Sequence, residues 1–119
     1  MPMVASAFPI LPGKTPEWRA WMTELNGSRR EEFQASRRKA GVHERTFLQQ
    51  TPMGDLVIVV LEGDHPEEAF GQMMGADDAF STWFAERAKA VHGVDLTAPT
   101  IGSSTPELVV DSEPVAVLV

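Results

Sequence analysis

Few side chains in this 119-residue sequence are equipped for chemistry. It has no cysteine and no tyrosine, which excludes disulfides, thiolate nucleophiles, thiolate metal sites and phenolic acids. Three histidines remain: His43, His65 and His92. His65 stands before a proline at a helix start, and His92 closes a helical stretch, where a partial positive charge suits the helix dipole. His43 lies in a loop ahead of a strand and is the candidate general base or axial ligand. Arg29 follows Trp18, Met22 and Leu25 at helical steps. In an unbroken helix its guanidinium points inward, able to hold a carboxylate or enolate in a two-pronged grip. A break at Asn26-Gly27 turns it to solvent instead. His43 and Arg29 are therefore the candidate catalytic residues, each with a plain structural alternative.

Candidate ligand-binding residues come from polar or aromatic positions within apolar patterns. Gln49 and Gln50 alternate on one strand, so one of them looks toward a covered face. Its amide either meets a ligand oxygen or bonds a neighbouring strand or partner copy. Ser6, on the first strand, has the same status. Trp18 and Trp83, with Trp21, Phe80 and Phe84, can stack on a planar ligand, although aromatics at helical spacing equally build a core. No His-x-His, His-x-x-x-His or matched carboxylate pair occurs, so no metal site is expected. No Gly-x-Gly-x-x-Gly follows a strand, and no nucleotide or other cofactor is expected.

The elements that must position these residues fit one domain, residues 1–119. The composition is 43% hydrophobic and 23% charged, which supports a real core. A net charge of -7 repels phosphate backbones and anionic headgroups, so neither nucleic acid nor a membrane surface is an expected partner. The basic cluster Arg29, Arg30, Arg37, Arg38 and Lys39 is interleaved with Glu31 and Glu32, as on a solvated helix face. The longest apolar run, residues 56–61, is far short of the ~20 residues of a membrane span, and no leader pattern opens the chain, so a cytoplasmic location is expected.

Residues 3–10 read as a strand. Thr15-Pro16-Glu17 then starts a helical arm that Gly27 kinks or divides, with a second start at Ser28 and Glu31 and an end at Gly41. Residues 45–50 and the wholly apolar 56–61 form a hairpin around Thr51-Pro-Met-Gly-Asp55. Asp64-His-Pro-Glu67 opens a second arm, restarted by a cap at Asp77 or Asp78 and closed at His92-Gly93. A turn-rich linker, residues 97–106, leads to a short strand, residues 107–111, and an apolar tail within residues 112–119.

The order βαββαβ predicts an α+β, ferredoxin-like fold: a four-stranded antiparallel sheet with both helical arms on one face. Residues 56–61 are apolar in both registers, so the other face also needs cover, and a second copy packed sheet to sheet supplies it. The expected assembly is a homodimer.

Ala7-Phe-Pro-Ile-Leu-Pro-Gly13, Ala35-Ser-Arg-Arg38, Phe47-Leu-Gln-Gln-Thr-Pro52, Gly54-Asp-Leu-Val-Ile-Val59 and Trp83-Phe84 leading to Gly93-Val-Asp-Leu96 resemble a family of small, uncharacterised bacterial proteins within the dimeric α/β-barrel superfamily. The resemblance spans residues 4–111 and implies the fold and the dimer, but no particular reaction. It is compatible with a small organic ligand between helices and sheet and a monooxygenase- or isomerase-like activity. The alternatives are a non-catalytic interaction or stress-related protein, and a haem-handling protein that uses His43 or His92.

Overall fold

The structure, a computed structural model, describes residues 2–94 and 106–113. Its centre is an antiparallel sheet of β1 (Met3–Pro9), β2 (Val42–Thr51) and β3 (Gly54–Gly63), in the order β1-β3-β2. The hairpin between β2 and β3 turns at Thr51, whose hydroxyl donates to the Gly54 carbonyl at 2.6 Å and accepts from the Met53 N–H at 3.2 Å. At the far end of the pair, a Cβ on Gly63 would collide with the Gly41 carbonyl. Only glycine permits β3 to run that close to the start of β2.

Register divides the side chains into two sets. Val4, Leu61 and Glu44 form one row, Ser6, Val59 and Thr46 the next, and Phe8, Val57 and Leu48 the third. These rows face the helices. The alternate rows put Ala5, Ala7, Ile58, Val60 and Phe47 on the open face, with Phe47 52% exposed.

Four helices cover the inner face: α1 (Thr15–Asn26), α2 (Arg30–Lys39), α3 (Pro66–Met74) and α4 (Ala79–His92). Each expected arm is thus two helices. The break between α1 and α2 is a turn at residues 27–29, where the Gly27 and Arg29 N–H groups both donate to the Glu24 carbonyl. The sequence signals of the first arm are only partly used. Helix α1 begins at Thr15 itself, and the Thr15 hydroxyl donates to Asp55 at 2.6 Å, which ties the helix to β3. Asp78 caps α4 as expected, accepting from the Ser81 N–H at 2.8 Å. Gly93 ends that helix at a φ of 70°.

The core lies between α1, α4 and the sheet, and centres on Trp18, Trp21, Leu25, Val57, Phe80 and Val91. The expected strand at residues 107–111 is not formed: this segment is irregular, and Leu108, Val109 and Val110 are 78%, 84% and 83% exposed. The sheet therefore has three strands, and β1 stands at its edge with no neighbour on its outer side among the described residues. The architecture is α+β and compatible with a ferredoxin-like arrangement. Most of the linker at 97–106 and of the tail at 112–119 lies outside the described residues. Among the described residues, no helix is long and apolar enough to cross a membrane.

Candidate functional site

Helical spacing puts Trp18, Trp21 and Leu25 on the inner side of α1, and Phe84, Ala88 and His92 follow one another along α4 at steps of four. β2 contributes Glu44 and Thr46, and these elements line a partly open hollow of about 50 Å³. Its walls are mostly apolar, which makes the polar groups within them informative.

Glu44 is nearly fully buried and would be costly there alone. Arg37, 6% exposed, donates from Nε to Glu44 Oε1 at 2.7 Å. Thr46 donates to the other carboxylate oxygen at 3.1 Å, and the Arg37 guanidinium lies over the rings of Phe33 and Phe84 at 4.8 and 4.7 Å. The acid, the cation and the hydroxyl thus form one internally satisfied unit.

The indole nitrogens differ from that unit. Trp18 and Trp21 are 6% and 4% exposed, and neither Nε1–H has an acceptor among the described residues. A buried donor without a partner costs about 1–3 kcal/mol, and both donors belong to residues that line the same hollow through other atoms of their side chains.

His92 supplies a possible base. Its Nδ1 lies 2.8 Å from the Pro9 carbonyl, a partner that can only accept, so Nδ1 carries the proton and Nε2 holds the lone pair in the neutral ring. Burial holds its pKa below the ordinary 6.5, against the opposing pull of the Pro9 carbonyl. The ring packs beside Phe8 and Trp21.

The residues singled out from the sequence do not gather in this chamber. Trp18 belongs to its wall. Arg29 does not reach inward, because the turn at residues 27–29 ends the helical register; it stacks on Trp83 at 4.1 Å and pairs with Glu32 at 3.4 Å and Glu24 at 3.8 Å. Trp83 is half-buried between that guanidinium and Phe80. His43 and Gln49 are exposed on the open face, and His43 lies within β2, not in a loop before it. Gln50 is exposed at the hairpin, 3.5 Å from Asp55. Ser6 faces inward but lines a different hollow, a groove of about 610 Å³ along β1, with Phe8, Leu61, Pro66, Phe70 and Pro106. Arg29 and Gln49 share no cavity.

Glu44, Thr46 and Arg37 are the residues that sequence reasoning left out of a site, whereas Trp21 was expected among the stacking aromatics and His92 in the haem reading alone. A signal for Glu44 was present: Val42, Glu44, Thr46 and Leu48 share one register, so a carboxylate sits in an otherwise inward-facing row. A buried acid asks for a cation, and Arg37 lies one helical turn after Phe33. His65, Glu67 and Glu68 place possible donor atoms within 4.8 Å of one another, but all three are exposed at the start of α3, where acids complement the dipole.

Fold and site together describe an α+β domain with a small, mostly apolar hollow between its helices and its sheet. The chain belongs to DUF6176, a family of unknown function whose model matches residues 1–115. No curated protein and no solved structure matches it.

Proposed function

We propose that this chain is a homodimeric, ferredoxin-like domain that binds a small organic ligand in the chamber between α1, α4 and the sheet. The observation that carries the reading is a mostly apolar hollow lined by Trp18, Trp21, Phe84 and His92, with Glu44 and Thr46 among its few polar residues. An apolar enclosure with a few convergent polar groups is the usual form of a ligand site. The volume of about 50 Å³ lies well below the ~300 Å³ lower end for drug-sized ligands, so the ligand has only a few heavy atoms. Planar polyphenols and haem are too large for this chamber.

The dimer follows from the open face. Ala5, Ala7, Phe47, Ile58 and Val60 form an apolar surface with no cover from the helices, and a second sheet is its natural complement.

Indole ¹⁵N spectra test the ligand reading directly, because the protein has three tryptophans and only two line the chamber. In a panel of small aldehydes, ketones, alcohols and amides, at least one compound is expected to move the Trp18 and Trp21 resonances and leave Trp83 in place. A panel that moves none of them overturns the reading.

A further inference from the structure

A third hollow, of about 470 Å³, lies between α2 and β2. Arg30, Phe33, Arg37 and Arg38 line it from the helix, where their helical spacing puts them on one side, and Val42 and Glu44 line it from the strand. Glu44 is the acid in this lining, and Arg37 balances it at 2.7 Å. Arg30 and Arg38 are different. Among the described residues neither has a carboxylate within ion-pair reach, whereas Arg29, Arg37 and Arg45 each have one. The hollow therefore carries uncompensated positive charge, on a chain whose net charge is -7.

Arg37 gives that charge a direction. Its guanidinium lies over the rings of Phe33 and Phe84, while Nε donates to Glu44 and Nη1 donates to Ser36 at 2.9 Å. Nη2 has no partner among the described residues. The fully buried side-chain nitrogens without a partner are those of Trp18 and Trp21, so Nη2 is not sealed in, and the hollow that Arg37 lines is where it opens. A side chain only 6% exposed that still offers a donor is fixed before any ligand arrives, which lowers the entropy lost on binding. Phe33 and Val42, both half-buried, give the same hollow an apolar wall. Its volume lies within the ~300–1,000 Å³ of small-molecule sites.

We propose that this hollow binds a small organic acid. Its carboxylate accepts from Arg37 Nη2 in the field of Arg30 and Arg38, and its hydrocarbon part lies against Phe33 and Val42. The site is separate from the chamber between α1, α4 and the sheet, and it stands whether or not that chamber takes a ligand.

The probe is hexanoate, titrated into protein with ¹⁵N-labelled arginine side chains, beside hexanamide and inorganic phosphate. Hexanoate is expected to move the Arg37 and Arg38 Nε resonances and to leave in place those of Arg19 on α1 and Arg87 on α4. Hexanamide, similar in size but uncharged, is expected to bind about tenfold more weakly, the loss of one charge-assisted hydrogen bond. Phosphate tests charge without hydrocarbon and is expected to bind more weakly than hexanoate. An unmoved Arg37, or shifts shared equally by Arg19 and Arg87, overturns the site. Hexanamide that binds as well as hexanoate overturns the charge argument, and phosphate that binds as well overturns the organic-acid class. Arg30→Gln and Arg38→Gln, both at exposed positions, are expected to keep the urea midpoint and to weaken hexanoate severalfold. Unchanged affinity in both variants overturns the proposal.

Discussion

β2 presents two rows of side chains with opposite surroundings. Val42, Glu44, Thr46 and Leu48 look toward the helices, and His43, Arg45, Phe47 and Gln49 look away from them. Each row holds half of an ion pair. Glu44 meets Arg37, with side chains 6% and 7% exposed. Arg45 meets Glu62 across the sheet, with side chains 48% and 28% exposed. The same charges in the same motif differ in worth because water screens one pair and is kept from the other. Burial thus makes one acid–base pair part of the core and leaves the other as surface.

The sharpest test of that contrast removes the inner cation. Arg37→Ala strands the Glu44 carboxylate in the core, and chemical denaturation is expected to show a loss of about 3–5 kcal/mol. The joint replacement Arg37→Met with Glu44→Leu restores most of that stability, because neither buried charge remains. A loss below about 1 kcal/mol in the single variant would mean that water reaches Glu44 and that the two rows are alike.

A charge placed on the outer row tests the opposite side of the comparison. Ile58 lies between Ala7 and Phe47 in the open face, so Ile58→Lys puts an ammonium at the centre of the proposed dimer contact. Light scattering is expected to give the dimer mass for the unaltered protein and half of it for the variant, with the fold retained. A unaltered chain that is monomeric at micromolar concentration rejects the dimer.

The inner layer also has a pH signature. Because the folded state holds the His92 pKa below 6.5, the unfolded chain takes up this proton first as the pH falls. His92 therefore contributes stability that is complete above its unfolded pKa and is lost from about pH 6.5 down to its lower folded pKa. Urea midpoints of the unaltered protein should fall across that window, and those of His92→Phe should fall less. Parallel curves would place His92 in water.

Much of the architecture was legible because it depends on patterns that single residues report. The apolar run at residues 56–61 marked the middle strand, Thr51 to Gly54 marked the hairpin, and Asp78 with Gly93 bounded α4. The site was less legible because it depends on register. His43 and Glu44 are neighbours in sequence, yet a period of two sends them to opposite faces, and attention to histidine as a reagent singled out the one that looks outward. Arg29 follows the second of its two expected readings: the turn at Gly27 shifts the helical phase, so extrapolation from Trp18 and Leu25 does not hold. His92 was legible as a helix end but not as a chamber wall, since its partner Pro9 is 83 residues away in the chain.

The smallest expected effect closes the comparison from the outer side. Arg45→Ala breaks the cross-strand pair with Glu62, but both side chains keep contact with water, and exposed pairs of this kind contribute about 0–1 kcal/mol. A change within that range, shrinking further in 1 M salt, is expected from urea titration of the monomeric Ile58→Lys background. The same substitution in the unaltered protein reads something further, because the open face is the proposed dimer surface. A cost there well above 1 kcal/mol, absent from the monomeric background, would show that the partner sheet dries the Arg45–Glu62 pair and gives the outer row a buried charge of its own.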